Sequence, residues 1–286
     1  MLNTERVSQY ISLMRLNKPI GIFLLLWPTL WAVWLASLGA PQMQILIIFV
    51  LGVILMRSAG CILNDAADRL VDVHVQRTRE RPLAAGKVSV REALLIAAIL
   101  SCIAFLLVLQ CNALTIALAF VAAALAVIYP FLKRVTHLPQ VGLGAAFSFG
   151  VPMTFAAETG EVNASAWFLF FTAMFWPVIY DTMYAMADKK DDLSIGVKST
   201  AILFGAMDKM MIGCLQIIFM ILLLMTGYIF SLHSLYYVCL LPVLFLFIYQ
   251  QWLIKDRDAQ KCLRAFLNNN WVGMFIFAGI VLSYLQ

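Results

Sequence analysis

Long apolar runs fill most of the chain, and short polar segments separate them. Nine of these runs approach the roughly 20 residues that a helix needs to cross the hydrocarbon core of a bilayer. They cover residues 20–39, 43–63, 91–110, 112–131, 138–157, 164–186, 209–230, 234–253 and 268–285. The pattern therefore predicts an all-α, polytopic membrane protein with nine transmembrane helices, forming a single domain over residues 1–286.

The first 18 residues follow a different pattern. Their apolar residues recur at helical spacing beside basic ones, as in a helix that lies on the membrane surface. These apolar residues are Val7, Tyr10, Ile11 and Met14. A cleaved signal peptide is the alternative, but the apolar run that follows is long, rich in tryptophan and the first of many. We therefore expect an interfacial helix within residues 1–18.

Lysine and arginine alternate between the two sides of the predicted bundle. The N-terminus and the segments after the second, fourth, sixth and eighth runs hold nearly all of them, and the segments after the other runs hold none. Basic residues stay on the cytoplasmic side of a membrane protein. The sequence therefore predicts a cytoplasmic N-terminus and a C-terminus on the far side.

The composition excludes several classes of protein. Hydrophobic residues make up 63% of the chain and charged residues 12%, against about 45–50% and about 25% in soluble domains. The net charge of +5 lies in the loops, so it reports topology and no nucleic-acid partner is expected. The six cysteines form no CxxC pair and the three histidines show no ligand spacing, so neither a zinc site nor a haem site is expected.

An acidic cluster follows the second run, in the stretch LNDAADRLVD. Asn64, Asp68 and Asp72 are four positions apart. Asp65 lies one turn before Asp68, so a helix places all four side chains on one face. Like charges at this spacing repel each other, which costs stability unless a cation binds between them. A solvated acidic helix end is the alternative interpretation, and we favour a metal site.

A second acidic cluster, DTMYAMADKKDD, closes the sixth run on the same side of the membrane. Its members on one helical face are Asp181, Tyr184, Asp188 and Asp191 or Asp192. A basic, glycine-containing segment follows each cluster. We expect residues 64–90 and 187–208 to form cytoplasmic loops around an active site.

Two facing sets of carboxylates suit Mg²⁺, which prefers oxygen ligands and usually takes one or two carboxylates together with substrate phosphates. Neighbouring arginine and lysine side chains would then neutralise the remaining phosphate oxygens. The residues therefore predict Mg²⁺ as the cofactor of a phosphorylated ligand. If one diphosphate bridges both clusters, the carboxylates of the first should lie on the order of 8–12 Å from those of the second.

Two further features accompany the clusters. Arg57 lies inside the second run, seven positions before Asn64 and on the same helical face. A charged residue inside a span is costly and is usually functional or paired, so Arg57 either forms a structural pair or binds a substrate carboxylate. Tyr129 and Lys133 lie one turn apart in YPFLKR, where they either anchor the helix at the interface or belong to the same site.

Together these motifs resemble those of the UbiA-type intramembrane family of aromatic prenyltransferases. The resemblance rests on NDxxDxxxD at residues 64–72, YxxxK at 129–133, and the aspartate pair at 188 and 192. The stretches RLNKPIGIFLLLWPTLWA and RTRERPLAAG are similar to those of bacterial members that act on 4-hydroxybenzoate in ubiquinone biosynthesis. The resemblance covers the whole chain.

The resemblance implies a fold, a reaction and a set of site residues. The nine helices would surround a central cavity that opens to the cytoplasmic side of the bacterial inner membrane, and sideways to lipid. A polyprenyl group would pass from polyprenyl diphosphate to the ring of 4-hydroxybenzoate, ortho to its hydroxyl, with Mg²⁺ as cofactor. The implied metal ligands are Asn64, Asp68, Asp72, Asp188 and Asp192. The implied substrate-binding residues are Arg57, Asn64, Tyr129, Lys133, Arg134 and Lys198.

The same resemblance makes the five aspartates at 68, 72, 188, 191 and 192 the catalytic residues, and Asp191 would contact the phenol or take its proton. Two other functions compete with this one. A sibling prenyltransferase would use another acceptor, such as a naphthoate, homogentisate or haem. A divalent-cation transporter would also carry acidic helices, but transporters usually bind their ions near the bilayer midplane.

Overall fold

A computed structural model describes residues 4–73 and 78–285, and this part of the chain is helical, without a strand. Twelve α-helices follow one another: α1 Thr4–Leu13, α2 Ile20–Ala36, α3 Met43–Asp72, α4 Val90–Val108, α5 Ala113–Val135, α6 Pro139–Ser148, α7 Gly150–Thr159, α8 Ala164–Ile195, α9 Thr200–Phe204, α10 Asp208–Ile229, α11 Ser234–Ile254 and α12 Ala259–Tyr284. A short 3₁₀ turn, Gly205–Met207, joins α9 to α10. The predicted all-α class is confirmed.

Among the described residues, seven helical segments are long and apolar enough to cross a membrane. They are α3, α4, α5, the pair α6–α7, the segment α9–α10, α11 and α12. The predicted first run corresponds to α2, which is apolar but has only 17 residues. The predicted sixth run corresponds to α8, which has 32 residues. Tryptophan, tyrosine and aspartate residues within this helix lower its mean hydropathy. The chain is therefore a polytopic all-α membrane protein. In the part that the structure describes, seven segments meet the length and composition of a span, and the two other predicted runs correspond to α2 and α8.

Polar residues in the loops start several helices. Ser89 accepts a hydrogen bond from the amide of Glu92 at the start of α4, and Asn112 accepts one from the amide of Thr115 at the start of α5. Such caps satisfy backbone donors that have no partner inside the helix. At the other end of α8, Gly196 adopts a left-handed conformation, which glycine adopts without strain.

The fifth predicted run is two helices instead of one. α6 ends at Ser148 and α7 begins at Gly150. Pro152 lacks the amide hydrogen that would bond to the carbonyl of Ser148, and its ring crowds that carbonyl. The helix is therefore interrupted at Phe149.

Tryptophans and small residues pack the centre of the bundle. The rings of Trp31 and Trp176 lie 5.3 Å apart, and both side chains are fully buried. The indole of Trp176 donates to the side chain of Asn269 at 3.0 Å, so α8 is joined to α12. At Gly144 a Cβ would lie 2.5 Å from the carbonyl oxygen of Met174. This glycine therefore permits the close approach of α6 to α8, as small residues do between membrane helices.

The N-terminal segment is anchored to α3 and to the loop that follows it. Leu13, at the end of α1, is fully buried in a cluster that includes Ala59 and Ile62 of α3 and Leu83 of the loop. Burial of a leucine side chain stabilises such a contact by about 1.5–3 kcal/mol. The segment before α2 is thereby held next to the residues that follow α3.

The two segments that we expected to be loops are partly helical. α3 continues to Asp72 and α8 continues to Ile195, so both acidic clusters lie on helices. The loops begin only after these points. The helical part of each segment fixes the spacing of its carboxylates, because residues four apart on a helix share a face.

Candidate active site

A cavity of about 1530 Å³ lies among α2, α3, α4, α5, α6, α7, α8 and α12. Most of the residues singled out in the sequence line it: Arg57, Asn64, Asp68, Asp72, Tyr129, Lys133, Asp188, Asp192 and Lys198. Both acidic clusters therefore face one cavity. The structure brings together residues that are more than 100 positions apart in the chain.

Of the two first-cluster aspartates predicted to bind the metal, Asp68 is the more deeply buried. It is only 2% exposed, and its Oδ2 accepts hydrogen bonds from Lys133 of α5 and from the amide of Asn64. In the part of the chain that the structure describes, its Oδ1 is buried and has no hydrogen-bond partner. A buried carboxylate oxygen without a partner is unfavourable by itself, and it suits an oxygen-seeking cation.

Asp72 is held by a cation from the loop after α3. Its Oδ2 accepts from Nη1 of Arg81 at 2.9 Å, and the same nitrogen donates to Oδ1 of Asp65 at 3.0 Å. Asp65 also accepts two hydrogen bonds from Nη2 of Arg15, at 2.9 and 3.0 Å. The first cluster is thus neutralised by basic side chains from three other segments.

The carboxylate and amide oxygens of the cavity can hold Mg²⁺ only if a phosphorylated substrate supplies further ligands. Among residues 4–73 and 78–285, no group of three or more His, Cys, Asp and Glu side chains could hold a metal ion alone. Mg²⁺ in phosphoryl sites usually takes one or two carboxylates and completes its shell with water and substrate phosphates. The carboxylate and amide oxygens of the cavity match that requirement.

The second cluster faces the same cavity along one stripe of α8. Asp181, Tyr184, Asp188 and Asp192 line the cavity, and Asp191 does not. The backbone carbonyl of Asp191 accepts a hydrogen bond from Ser194 at 2.7 Å. Asp191 lies off the stripe that faces the cavity, so its position gives no support to the expected contact with the phenol. The 8–12 Å separation between the two clusters stays a prediction.

The end of α8 is fixed by a buried carboxylate outside the cavity. Asp208 is fully buried and forms ion pairs with Lys189 at 3.2 Å and with Arg257 at 2.7 Å. The hydrogen bond to Asp208 raises the pKa of the Arg257 guanidinium. Since Lys189 lies between Asp188 and Asp192 in the chain, this network positions the helix end that carries these two aspartates.

Arg57 lies deeper in the cavity, eleven positions before Asp68 on α3. Eleven residues of helix span about 16 Å. Among the described residues Arg57 forms no ion pair, its Nε is buried without a partner, and its Nη1 donates to Cys61 Sγ at 2.6 Å. The guanidinium lies 5.6 Å from the ring centroid of Phe147. A charged group this poorly paired favours ligand binding over a structural ion pair.

Close backbone packing makes room for that guanidinium. A Cβ on Gly21 of α2 would lie 2.5 Å from Nη2 of Arg57. Only glycine leaves the space that the arginine occupies.

The residues at the end of α5 differ in position. Lys133 forms an ion pair with Asp68. This contact favours a place in the site for Lys133 over a role as an interfacial anchor. Arg134 does not line the cavity; it donates to the carbonyl of Ala67 at 2.6 Å and its guanidinium lies 5.5 Å from the ring of Phe131. Arg134 thus links α5 to α3, and its position gives no support to the expected substrate contact.

Lys198 joins the loop after α8 to α5. Its backbone amide donates to the carbonyl of Lys133 at 3.0 Å, and its Nζ donates to the carbonyl of Val135 at 3.2 Å. The side chain also lines the cavity. The loop after α8 is thereby joined to the helix end that carries Lys133.

Sequence reasoning assigned no role to several residues that line the cavity. They are Arg15, Lys18, Arg81 and Gln140. Arg15 and Arg81 lie in the stretches that carry the family resemblance, which is the one signal that could have found them. Gln140 comes from α6, its side-chain oxygen accepts a hydrogen bond from the backbone amide of Thr200 at 3.0 Å, and it lines the cavity together with Asp181 of α8; only packing reveals this position.

The cavity reaches the apolar outside of the bundle between α4 and α5. Its lining there includes Phe105, Phe120 and Val127, whose side chains are exposed on the outer surface. The rings of the two phenylalanines lie 5.4 Å apart, edge to face. This arrangement supports the predicted sideways opening, because the same side chains line the cavity and lie on the outer surface of the bundle.

Comparison with known proteins identifies related sequences and structures. The model of the UbiA prenyltransferase family matches residues 25–279. A 4-hydroxybenzoate octaprenyltransferase from Coxiella burnetii is 56% identical over 280 residues, which are 98% of each chain. The structure of a UbiA homolog from Aeropyrum pernix has a TM-score of 0.79 at 25% identity, covering 92% of this chain and 97% of that one.

A further solved structure shares the fold. It is a UbiA homolog from Archaeoglobus fulgidus bound to GPP and Mg²⁺, with a TM-score of 0.74 at 16% identity, covering 97% of this chain and all of that one. The match to the family model spans nearly the whole chain, and the Coxiella relative is far above the identity at which membership is in doubt. The chain therefore belongs to the UbiA prenyltransferase family.

Proposed function

We propose that the chain transfers a polyprenyl group from polyprenyl diphosphate to 4-hydroxybenzoate, giving 3-polyprenyl-4-hydroxybenzoate for ubiquinone biosynthesis. The observation that carries this proposal is one cavity lined by carboxylates of α3 and α8 at one end and by Arg57 deeper inside. The name of the Coxiella relative, a 4-hydroxybenzoate octaprenyltransferase, supports the choice of acceptor.

The two acidic clusters would hold Mg²⁺ together with the diphosphate. Asn64, Asp68 and Asp72 supply oxygens from α3, and Asp188 and Asp192 supply them from α8. The unpartnered Oδ1 of Asp68 supports this assignment, as does the Mg²⁺ in the related fold from Archaeoglobus fulgidus. When bound, Mg²⁺ supplies Lewis-acid stabilisation of the negative charge that develops on the departing diphosphate.

Basic side chains would complete the diphosphate site. Lys133 and Lys198 line the cavity. Lys133 contacts Asp68, and Arg81 contacts Asp72. Charge-assisted hydrogen bonds from such groups to phosphate oxygens are short and strong. They lower the energy of the leaving group without taking part in covalent chemistry.

Arg57 would bind the carboxylate of the aromatic acid. Its guanidinium forms no ion pair among the described residues and its Nε has no hydrogen-bond partner, so it can offer the two parallel donors that a carboxylate accepts. Phe147 provides an aromatic face beside it. An acid bound this way points its hydroxyl end towards the acidic clusters, about 16 Å along α3 by helix geometry. The ring carbon next to the hydroxyl then lies on the side of the diphosphate, with Tyr129 on the wall of the same cavity.

The reaction would exchange one bond for another. The bond between the allylic carbon and the diphosphate oxygen breaks, and its electron pair leaves with the diphosphate. The ring carbon ortho to the hydroxyl bonds to the allylic carbon, and the proton of that ring carbon passes to a base in the cavity, either a carboxylate or the released diphosphate. Apolar side chains of α4 and α5 would keep water from the electron-poor allylic carbon.

The membrane setting follows from the same arrangement. A polyprenyl tail could leave the cavity between α4 and α5 and extend among membrane lipids. The lysine and arginine distribution supports a cytoplasmic N-terminus and a site that faces the cytoplasm of the bacterial inner membrane. Charged diphosphate and aromatic acid would then arrive from water while the tail stays in lipid.

The test is product formation by the purified protein in detergent with a prenyl diphosphate and 4-hydroxybenzoate, with and without Mg²⁺. We expect the prenylated acid, identified by mass, only when Mg²⁺ is present. A naphthoate and homogentisate, run in parallel, identify a sibling specificity. Absence of product from all acceptors, together with Mg²⁺ flux through liposomes that contain the protein, would overturn the proposal in favour of a transporter.

A further inference from the structure

A chain of charged groups links the N-terminal segment to the first acidic cluster. Arg15 donates two hydrogen bonds to Asp65, at 2.9 and 3.0 Å. Nη1 of Arg81 bridges Asp65 at 3.0 Å and Asp72 at 2.9 Å. The contacts therefore run from Arg15 to Asp65, then to Arg81, and end at Asp72. Asp72 is one of the residues that would hold the metal and the diphosphate.

Burial makes each contact in this chain depend on the others. The side chain of Asp65 is 2% exposed, and those of Arg81 and Arg15 are 16% and 24% exposed. Removing one partner from a buried charge group leaves an uncompensated charge, which is far more costly than losing an exposed ion pair. With Arg15 absent, Asp65 would draw on Arg81 alone and Arg81 would shift away from Asp72.

The backbone holds Arg15 in the position that this contact requires. Arg15 has a φ of +58°, a left-handed conformation that costs energy in a residue other than glycine. It lies two positions after the fully buried Leu13, which packs in the same cluster as Leu83 of the Arg81 loop. The N-terminal segment and the loop are therefore joined by an apolar contact and by a charged one.

We propose that Arg15 and Asp65 are positioning residues for prenyl diphosphate binding, acting through Arg81. This inference rests on the proposed function. Asp65 is not a metal ligand in this arrangement; it retains Arg81 beside the cavity when Asp72 is engaged by a cation. Arg81 is then available as a donor to the diphosphate, and the N-terminal segment contributes to substrate affinity without touching the substrate.

Direct binding of a prenyl thiolodiphosphate, which is not cleaved, tests the proposal in the presence of Mg²⁺ by calorimetry. Arg15→Gln should weaken this binding about tenfold or more, the equivalent of one charge-assisted hydrogen bond. Binding of 4-hydroxybenzoate should stay within about twofold, because an effect confined to the diphosphate end leaves Arg57 untouched. Equal weakening for both ligands would show a merely structural role and overturn the proposal.

A matched control comes from α1, the helix that precedes Arg15. Arg6 pairs with Glu92 of α4 at 3.2 Å, and its side chain is 59% exposed. Arg6→Gln should change neither affinity by more than about twofold, because exposed ion pairs contribute little. If Arg6→Gln weakened diphosphate binding as much as Arg15→Gln, the chain through Asp65 would not be the cause.

A double mutant tests whether Arg15 acts through Arg81. Once Arg81→Gln has been made, adding Arg15→Gln should cause no further loss, because the intermediary is already gone. Fold-losses that multiply would overturn the proposal. If Arg15→Gln does not fold, Arg15→Lys serves instead, since it keeps the charge and loses the two-pronged contact; wild-type affinity in that variant would overturn the proposal as well.

The binding measurement also separates this inference from the proposed function. A wild-type protein that binds the thiolodiphosphate and prenylates none of the acceptors would contradict the function and leave the positioning role standing. A wild-type protein that turns over, with an Arg15→Gln variant that binds normally, would contradict the positioning role alone.

Discussion

Lys133 of α5 donates a hydrogen bond to the buried carboxylate of Asp68 on α3. The two residues are 65 positions apart in the chain. A cation of the protein itself thus neutralises one oxygen of the carboxylate, and the other oxygen is left for a ligand. Buried like charges would otherwise repel and destabilise the helix end. The site is held together before any substrate arrives.

The role of Asp68 as a metal ligand predicts a large loss of activity on Asp68→Asn, which keeps the size and removes the charge. We expect kcat/KM to fall by about 100- to 1,000-fold, the range for losing one strong electrostatic contact in a transition state. Turnover is measured over a range of Mg²⁺ concentrations. Asp191→Asn is the matched control, because Asp191 carries the same charge outside the cavity, and it should keep near-normal activity. Near-normal activity of Asp68→Asn itself would refute the assignment.

The role of Arg57 predicts a change confined to the aromatic acid. Arg57→Ala removes a charge-assisted contact of roughly 1.5–3 kcal/mol, so the KM for 4-hydroxybenzoate should rise about 10- to 150-fold. The KM for the prenyl diphosphate should change little, because that ligand binds at the other end of the cavity. A parallel increase in both constants would favour a structural role for Arg57.

The contact between Lys133 and the first cluster predicts a defect in the other substrate. Lys133→Met keeps the length of the side chain and removes its charge, so the KM for the prenyl diphosphate should rise about tenfold or more. Arg134→Gln is the neighbouring control, since Arg134 contacts the backbone of Ala67 and not the cavity. Steady-state kinetics with each substrate varied in turn distinguishes the two variants. If Arg134→Gln had the larger effect, the structural placement of these two residues would be wrong.

Close helix packing predicts a change in stability that is independent of catalysis. Gly144→Ala would place a Cβ 2.5 Å from the carbonyl oxygen of Met174, and such overpacking typically costs about 1–3 kcal/mol. Gly213→Ala is the control, because its Cβ would lie 3.5 Å from Gln251 in ordinary contact. We expect a lower Tm in detergent for the first variant only. An unchanged Tm for Gly144→Ala would show that α6 and α8 can separate at no cost.

Much of the fold could be predicted from the sequence alone, because the interactions that form each helix are local. A bilayer requires apolar helices of a given length, so composition and run length were sufficient for the all-α membrane class. The four-residue spacing of Asn64, Asp68 and Asp72 placed them on one face, since helix geometry depends only on neighbouring residues. The length rule was less reliable for α2, which is short, and for the fifth run, which Pro152 interrupts.

The tertiary structure decided which of those faces meet and which cations pair with which carboxylates. Asp191 and Asp192 are equivalent in the sequence, and only the rotation of α8 against its neighbours brings Asp192 into the cavity and leaves Asp191 out. Lys133 and Arg134 are separated in the same way by the packing of α5 on α3. The bridge from Arg15 through Asp65 to Arg81 joins three segments of the chain. Its formation depends on buried contacts such as that of Leu13 with Leu83, and contacts between distant segments leave no periodic trace in a single sequence.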